Sequence, residues 1–180
     1  MHNKTFITGL LSLLLLATGS VQAGWDPSEQ SELRQKSSET LRDFRKRDPS
    51  LKRFFNNAAG WAVFPTVGKG GFWIGGAYGK GVLYEGDKVA GYSELKQISV
   101  GFQFGGQAYS EIIFFKNKAA VDRFKAEKIE FDAQASAVVA DQGAAANADY
   151  HGGVAVFTMV KGGLMAEASV GGQTFTFTTK

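Results

Sequence analysis

From Gly60 to the end of the chain, much of the sequence alternates between apolar and polar residues, and glycines interrupt it at short intervals. In QTFTFTT at 173–179, Phe175 and Phe177 fall on one side. A spacing of two is that of a β-strand with one buried face. Because the chain has 23 glycines and only 3 prolines, glycine is its main turn residue. This part of the chain is predicted to be a β-domain with many tight corners.

Other segments fit the same prediction. The alternation at 97–104 predicts a strand that buries Ile98, Val100, Phe102 and Phe104, while EIIFF at 111–115 and VAVFTMV at 154–160 are apolar on both faces, as in central strands. Residues 85–88 predict a hairpin turn. Asn117 is expected to cap a helix over 117–126, and 141–149 is expected to be a loop.

Two segments of the sequence are similar to each other. GWAVFPTVGKGG at 60–71 and GVAVFTMVKGG at 153–163 both run from a glycine through an apolar strand to Lys-Gly-Gly. A phosphate loop is excluded, because Lys69 and Lys161 are followed by glycine rather than Ser or Thr and no helix follows. We therefore predict a repeated hairpin in which Gly68, Gly70 and Gly71 are corner residues with positive φ.

The segment before Gly60 is predicted to be helical. Asp26-Pro27 and Asp48-Pro49 each supply a capping carboxylate followed by a proline in the first turn. We expect two helices, over 27–47 and 49–58. Their apolar residues fall on one side, which is expected to pack against the β-domain.

The excess positive charge lies in this helical segment. Eight cations and five anions lie between Ser28 and Asn57, whereas eleven of each follow from Ala58 onward. Two interpretations stay open. The segment is either a packed helical lid with a solvated polar face, or a basic amphipathic element lying on an anionic membrane through six cations: Arg42, Arg45, Lys46, Arg47, Lys52 and Arg53. Phe54, Phe55 or Trp73 would then give apolar support.

Residues 1–23 are predicted to be a secretory signal peptide, with Lys4, an apolar run at 10–17 and a cleavage point after Ala23. The expected domain comprises the helical segment 24–58 and the glycine-rich β region 59–180. The chain has no cysteine, so it is expected to rely on its core. We expect an exported chain, in a bacterial periplasm, without a transmembrane segment after cleavage.

The sequence offers little for catalysis or metal binding. His151 is the only histidine after residue 23 and stands beside two glycines, where a surface turn is expected. We therefore predict no catalytic site, no metal site and no cofactor. Glu111 and Glu167 lie within apolar strands, where they are either hydrogen-bonded structural residues or an acid/base pair. The β region is charge-neutral, which does not favour nucleic-acid binding.

Three long motifs resemble the bacterial branch of the SYLF family, related to fungal actin-binding proteins: GWAVFPTVGKGGFWIGGAYGKGVLYE, GFQFGGQAYSEIIFFKNKAAVDRF and GGVAVFTMVKGGLMAEASVGGQTFTF. The resemblance extends over about residues 28–178. It implies a non-enzymatic lipid-binding module with a basic N-terminal helix. Actin and cytosolic phosphoinositides do not fit an exported chain, so the expected partner is an anionic phospholipid or another envelope lipid.

The predicted fold is α+β: N-terminal helices packed on a Gly-rich, mostly antiparallel β-sandwich or barrel, with one further covering helix. The predicted core comprises Trp61, Val63, Phe64, Phe72, Ile74, Phe102, Phe104, Ile112, Phe114, Phe124, Val156, Phe157, Phe175 and Phe177. The predicted function is peripheral association with anionic envelope lipids through the six helical cations, with Lys69 and Lys161 as candidate head-group contacts. The alternative is a periplasmic protein-interaction or scaffold module. A small outer-membrane barrel is a third interpretation, disfavoured by the capped, charged helices.

Overall fold

A computed structural model of the chain describes residues 26–71, 74–100, 107–131, 137–162 and 170–180. The predicted signal peptide lies outside these ranges. The elements in chain order are α1 (Pro27–Arg47), a 3₁₀ turn (Pro49–Leu51), α2 (Lys52–Asn57), β1 (Gly60–Gly71), β2 (Ile74–Glu85), β3 (Lys88–Val100), β4 (Gln107–Phe115), α3 (Lys118–Lys125), β5 (Val138–Val139), a second 3₁₀ turn (Ala144–Asn147), β6 (Val154–Gly162) and β7 (Gln173–Thr179).

The helices begin and end where their capping residues predict. The Asp26 carboxylate accepts a hydrogen bond from the Ser28 amide at 2.8 Å, and Pro27 is the first residue of α1. Asp48 ends α1, and its side chain accepts from the Ser50 amide at 3.0 Å to start the next turn. The predicted range 27–47 is confirmed, and the second predicted helix is the first 3₁₀ turn continued by α2.

The seven described strands form one sheet in the order β5-β6-β4-β1-β2-β3-β7. Every neighbouring pair is antiparallel except β5 and β6. The predicted α+β class is therefore confirmed. The sheet is not closed, because its edge strands β5 and β7 do not pair with each other.

The sheet is strongly curled. Gln173 on β7 donates a hydrogen bond from Nε2 to Glu111 Oε2 on β4 at 3.0 Å, although β1, β2 and β3 lie between these strands. The rings of Phe64 on β1 and Phe175 on β7 are 5.7 Å apart. We call the face on which these side chains meet the concave face. Phe124 of α3 packs 5.3 Å from Phe175 and covers it.

The other face, called here the helical face, carries α1 and α2. Phe54 of α2 lies 5.4 Å from Phe114 and 4.9 Å from Phe157, measured between ring centres. Glu29 in the first turn of α1 forms an ion pair with Lys80 on β2. The sheet thus separates the apolar core into two clusters, one on each face.

The predicted core is confirmed at most of the positions that the structure describes. Buried positions are Trp61, Val63, Phe64, Ile112, Phe114, Phe124, Phe157 and Phe175, and Val156 and Phe177 are partly buried. Phe72, Phe102 and Phe104 lie outside the described ranges, and for Ile74 the structure describes only the backbone.

The predicted orientation of β3 is wrong in the part that the structure describes. Ile98 was expected to be buried but is 76% exposed, whereas Gln97 is 3% exposed. The register places Gln97 opposite Gln173 on the concave face, and Gln97 Nε2 donates to the Gly171 carbonyl at 2.7 Å. A buried amide with a backbone partner thus occupies the interior position.

The predicted glycine corner is also wrong. Gly68 and Gly70 lie inside β1, opposite Tyr78 and Gly76, and neither has a positive φ. The strand continues through Lys69 to Gly71, so Lys-Gly-Gly is part of β1 rather than a corner. The predicted turn at 85–88 is confirmed, with Gly86 at φ 59°. In the second of the two similar segments, 153–163, β6 ends at Gly162, and the next residues lie outside the described ranges.

Candidate functional site

Arg42, Lys46 and Lys52 are exposed on the two helices. Arg42 and Lys46 are four residues apart, so they lie on one side of α1. Arg42 Nη1 lies 3.3 Å from Ser38 Oγ. Within the described ranges, none of these three cations forms an ion pair with a carboxylate. Their charge is therefore available to an external anion.

Two further helical cations lie over aromatic rings. The Arg45 guanidinium is 4.0 Å from the centre of the Phe55 ring, and that of Arg53 is 4.6 Å from the Phe54 ring. Arg53 Nε also donates to the Ala145 carbonyl at 3.1 Å. Because a guanidinium over a ring stabilises its packing, these arginines hold α2 in place as well as supplying charge.

The sixth helical cation contacts the loop before β6. Arg47 Nε lies 3.7 Å from Asp141 Oδ1, and both side chains are more than half exposed. An exposed pair of this kind contributes at most about 1 kcal/mol to folding. Arg47 therefore flanks the surface formed by the other cations, with part of its charge compensated. We call Arg42, Arg45, Lys46 and Lys52, with Arg47 and Arg53 at its margin, the helical basic surface.

The aromatic residues of α2 are placed for packing. Phe54 is 2% exposed and contacts the Tyr150 ring at 5.2 Å between centres. Phe55 is half-buried and lies 5.3 Å from the Trp61 ring. Insertion of Phe54 into a bilayer would remove it from the core, so its predicted role in apolar support is wrong. Trp73, predicted for the same role, lies outside the described residues.

Lys69 and Lys161 are separated from the helical basic surface. Trp61, which contacts α2, and Lys69 are eight residues apart on β1, which corresponds to roughly 26 Å of strand. The two lysines also lie on opposite faces of the sheet. Lys69 faces the concave side and interacts electrostatically with Glu111, whereas Lys161 Nζ lies 3.3 Å from Thr66 Oγ1. The predicted cations therefore do not form one surface.

Asp48 anchors the junction between α1 and α2, a role that the sequence only partly indicated. Its carboxylate is fully buried and accepts hydrogen bonds from the amides of Ser50, Gly143 and Ala145 at 3.0, 3.2 and 2.7 Å. Burial alone would raise the pKa of Asp48, but hydrogen bonds from the Ser50 side chain and these amides together hold the pKa below its usual value. One carboxylate thus fixes the loop at 141–145 against the helices.

Glu111 is a fully buried carboxyl on the concave face. Gln173 Nε2, which donates to Glu111 Oε2, also lies 3.3 Å from the Tyr109 hydroxyl oxygen. Burial raises the pKa of Glu111 to about 8, and the Gln173 amide and the Lys69 charge only partly offset this effect. Burial likewise raises the pKa of Tyr109 and lowers that of Lys69. The protonated acid is the favoured form of Glu111 at neutral pH.

This cluster agrees with the expected hydrogen-bonded role of Glu111, although one oxygen, Oε1, has no hydrogen-bond partner among the atoms that the structure describes. Glu167, the other candidate carboxylate, lies outside those ranges. In the described part of the chain, no three His, Asp or Glu side chains lie close enough to share a metal ion. His151 is exposed and forms an isolated bridge with Val154.

None of the helices in the described ranges combines the length and the apolar character needed to cross a bilayer. The fold and surface define a curled antiparallel sheet domain with a basic helical layer on one face. Residues 96–180 of this domain match the model of the Ysc84 family, described as Las17-binding protein actin regulator.

A curated relative supports the same relationship. Beta cell expansion factor A of Aeromonas veronii is 29% identical over 129 residues, which is 71% of this chain and 49% of the relative. The chain thus spans about half the length of the curated relative it matches. The resemblance to the SYLF family is confirmed over residues 96–180, which match that family's model.

Proposed function

We propose that this protein is an exported, non-enzymatic module that associates peripherally with anionic envelope lipids. The observation that carries the proposal is the helical basic surface, on which Arg42, Lys46 and Lys52 are exposed and form no ion pair with a carboxylate among the described residues. The family description names an actin regulator. An actin partner would require cytosolic exposure, whereas the predicted signal peptide favours an envelope ligand.

The strength of this association follows from the charges. Each basic residue near an anionic membrane contributes about 1 kcal/mol, and salt screens the attraction beyond a Debye length of about 10 Å at 0.1 M. Because Phe54 is part of the core, apolar insertion by α2 adds little. We therefore expect weak binding that depends on anionic lipid and is lost in high salt.

The orientation on the membrane also follows. A bilayer that contacts α1 and α2 lies on the helical face of the sheet. Lys69 faces the opposite side, and Lys161 lies toward the far ends of the strands. These two lysines are therefore not needed for the contact.

The test is cosedimentation of the chain from residue 24 onward with vesicles of phosphatidylcholine, with and without phosphatidylglycerol. We expect binding only when phosphatidylglycerol is present, and loss of binding in the triple variant Arg42→Glu, Lys46→Glu, Lys52→Glu. The matched control is Lys88→Glu, Lys116→Glu, Lys180→Glu, which changes the net charge equally at exposed positions that are not among the six cations of this surface.

Equal binding to both vesicle types, or equal loss in both triple variants, would contradict the electrostatic proposal. Circular dichroism of each variant checks that the fold is retained. If the chain does not bind either vesicle type but captures a saturable periplasmic protein, the alternative of an interaction or scaffold module is supported instead.

A further inference from the structure

A cavity of about 810 Å³ lies at the outer edge of β6, and none of the six cations of the helical basic surface lines it. One wall is the first half of β6, Val154–Phe157, before β5 pairs with that strand at Phe157 and Thr158. The opposite wall is the segment 128–131, which follows α3 and bonds to β7 through Phe131 and Gln173. The cavity thus occupies the gap that the curled sheet leaves between its two edges.

The size of the cavity argues for a ligand. Ligand sites typically measure about 300–1,000 Å³ and have apolar walls with a few polar groups. This cavity falls within that range, and its apolar lining comes from Ile129, Phe131, Val138, Val154, Val156 and Phe157.

The charged groups at the cavity are of both signs. Arg123 and Lys128 supply two cations, and Glu130 and Asp149 supply two anions; all four residues are exposed. In the described part of the chain, none of the four forms an ion pair. The Arg123 guanidinium donates to the Gly152 carbonyl, which fixes its position near the cavity.

We propose that this cavity binds a single-chain amphiphile with a zwitterionic head group, such as a lysophospholipid with an amine. The apolar chain lies against the Val138, Val154 and Val156 side chains, which are partly exposed. The phosphate contacts Arg123 and Lys128, and the ammonium contacts Glu130 and Asp149. A zwitterionic head group contacts both pairs of charges, whereas an anionic or a cationic head group contacts only one of them.

This site is independent of the proposed membrane contact, because it uses different residues and a different edge of the sheet. Because burial of apolar methylenes is favourable, two added methylenes tighten binding roughly tenfold while the chain still fits. Binding therefore depends on chain length, whereas vesicle binding through the helical basic surface depends on lipid charge.

The experiment is displacement of the fluorescent apolar probe N-phenyl-1-naphthylamine from the chain beginning at residue 24. The competitors are lysophosphatidylethanolamines of increasing chain length, used as monomers, and a fatty acid and an alkylamine of matched length. We expect the zwitterionic series to displace the probe best, with the stated chain-length dependence.

Two variants fill the cavity from different walls, Val156→Trp and Ala148→Phe. The matched control is Val139→Trp, on an exposed valine of β5 outside the lining. Loss of probe binding in both filled variants, with retention in the control and unchanged vesicle cosedimentation, supports the site. If the wild-type chain does not bind the probe, or all three competitors displace it equally, the proposal is overturned.

Discussion

Glu111→Gln should remove most of the pH dependence of folding stability between pH 4.5 and 8. The pKa of Glu111 is about 8 in the folded chain, against an ordinary value of 4.5. Between these values Glu111 keeps its proton in the folded chain but has released it in the unfolded chain. The contribution of Glu111 to the free energy of unfolding is therefore largest below pH 4.5 and falls as the pH rises to 8. The slope is about 1.4 kcal/mol per pH unit.

Over the whole window this slope corresponds to about 5 kcal/mol, because the pKa of Glu111 rises from 4.5 to about 8. That loss is comparable to the whole stability of many domains, about 5–15 kcal/mol. Glu111→Gln keeps the shape and a hydrogen-bonding group opposite Gln173 but cannot ionise. The variant should therefore be less stable than or similar to wild type at pH 5 and more stable at pH 8 or above.

The assay is urea unfolding followed by circular dichroism, at intervals from pH 5 to 9, for wild type, Glu111→Gln and an exposed control, Glu39→Gln. The control should keep the wild-type slope, and comparison at each pH cancels the contribution of the other titrating groups. The reasoning fails if wild-type stability is constant from pH 5 to 8, or if Glu111→Gln shows the same slope.

Three further predictions use the same unfolding assay. Asp48→Ala should cost about 2–4 kcal/mol, since it removes a buried acceptor shared by three amides; a cost below that of an ordinary surface substitution would contradict this role. Gly81→Ala should destabilise by about 1–3 kcal/mol, because a Cβ there would lie 2.5 Å from an aromatic carbon, whereas Gly70→Ala meets no atom within 4 Å and should be neutral or slightly stabilising. Arg53→Ala should cost about 1–2 kcal/mol through its ring and carbonyl contacts, and Arg42→Ala should cost almost none; equal costs would refute the division of the helical cations.

The helices could be predicted from sequence because their signals are local. Asp26 and Asp48 each cap the turn that follows them, and a proline occupies the first turn in both cases. Asn117 does the same for α3, accepting from the Ala120 amide at 3.0 Å. A capping residue contacts amides within three residues of itself, so it can be recognised in the sequence without knowledge of the rest of the fold.

The orientation of β3 could not be predicted in this way. Alternation at 97–104 shows that two faces differ, but it does not identify which face the curled sheet encloses. Gln97 is interior because Gly171, 74 residues later, supplies a carbonyl for its amide. The partner of Glu111 is Gln173, 62 residues away. Buried polar groups are assigned by partners that local sequence does not contain.

The same limit applies to the candidate site. Arg42 and Lys46 were predicted as exposed charges, and their exposure depends only on the face of α1 that they occupy. The structural part played by Arg53 depends on the Ala145 carbonyl, which comes from a loop 92 residues later. Charge counting identified the basic segment, but it could not separate the cations that pack from those that face solvent.

The curl of the sheet connects the buried cluster with the cavity. The contact between Gln173 and Glu111 brings β7 over the concave face toward β4, and β6 extends one strand beyond β4. The edge of β6 at Val154–Phe157 is consequently left opposite the segment that bonds to β7, with the cavity between them.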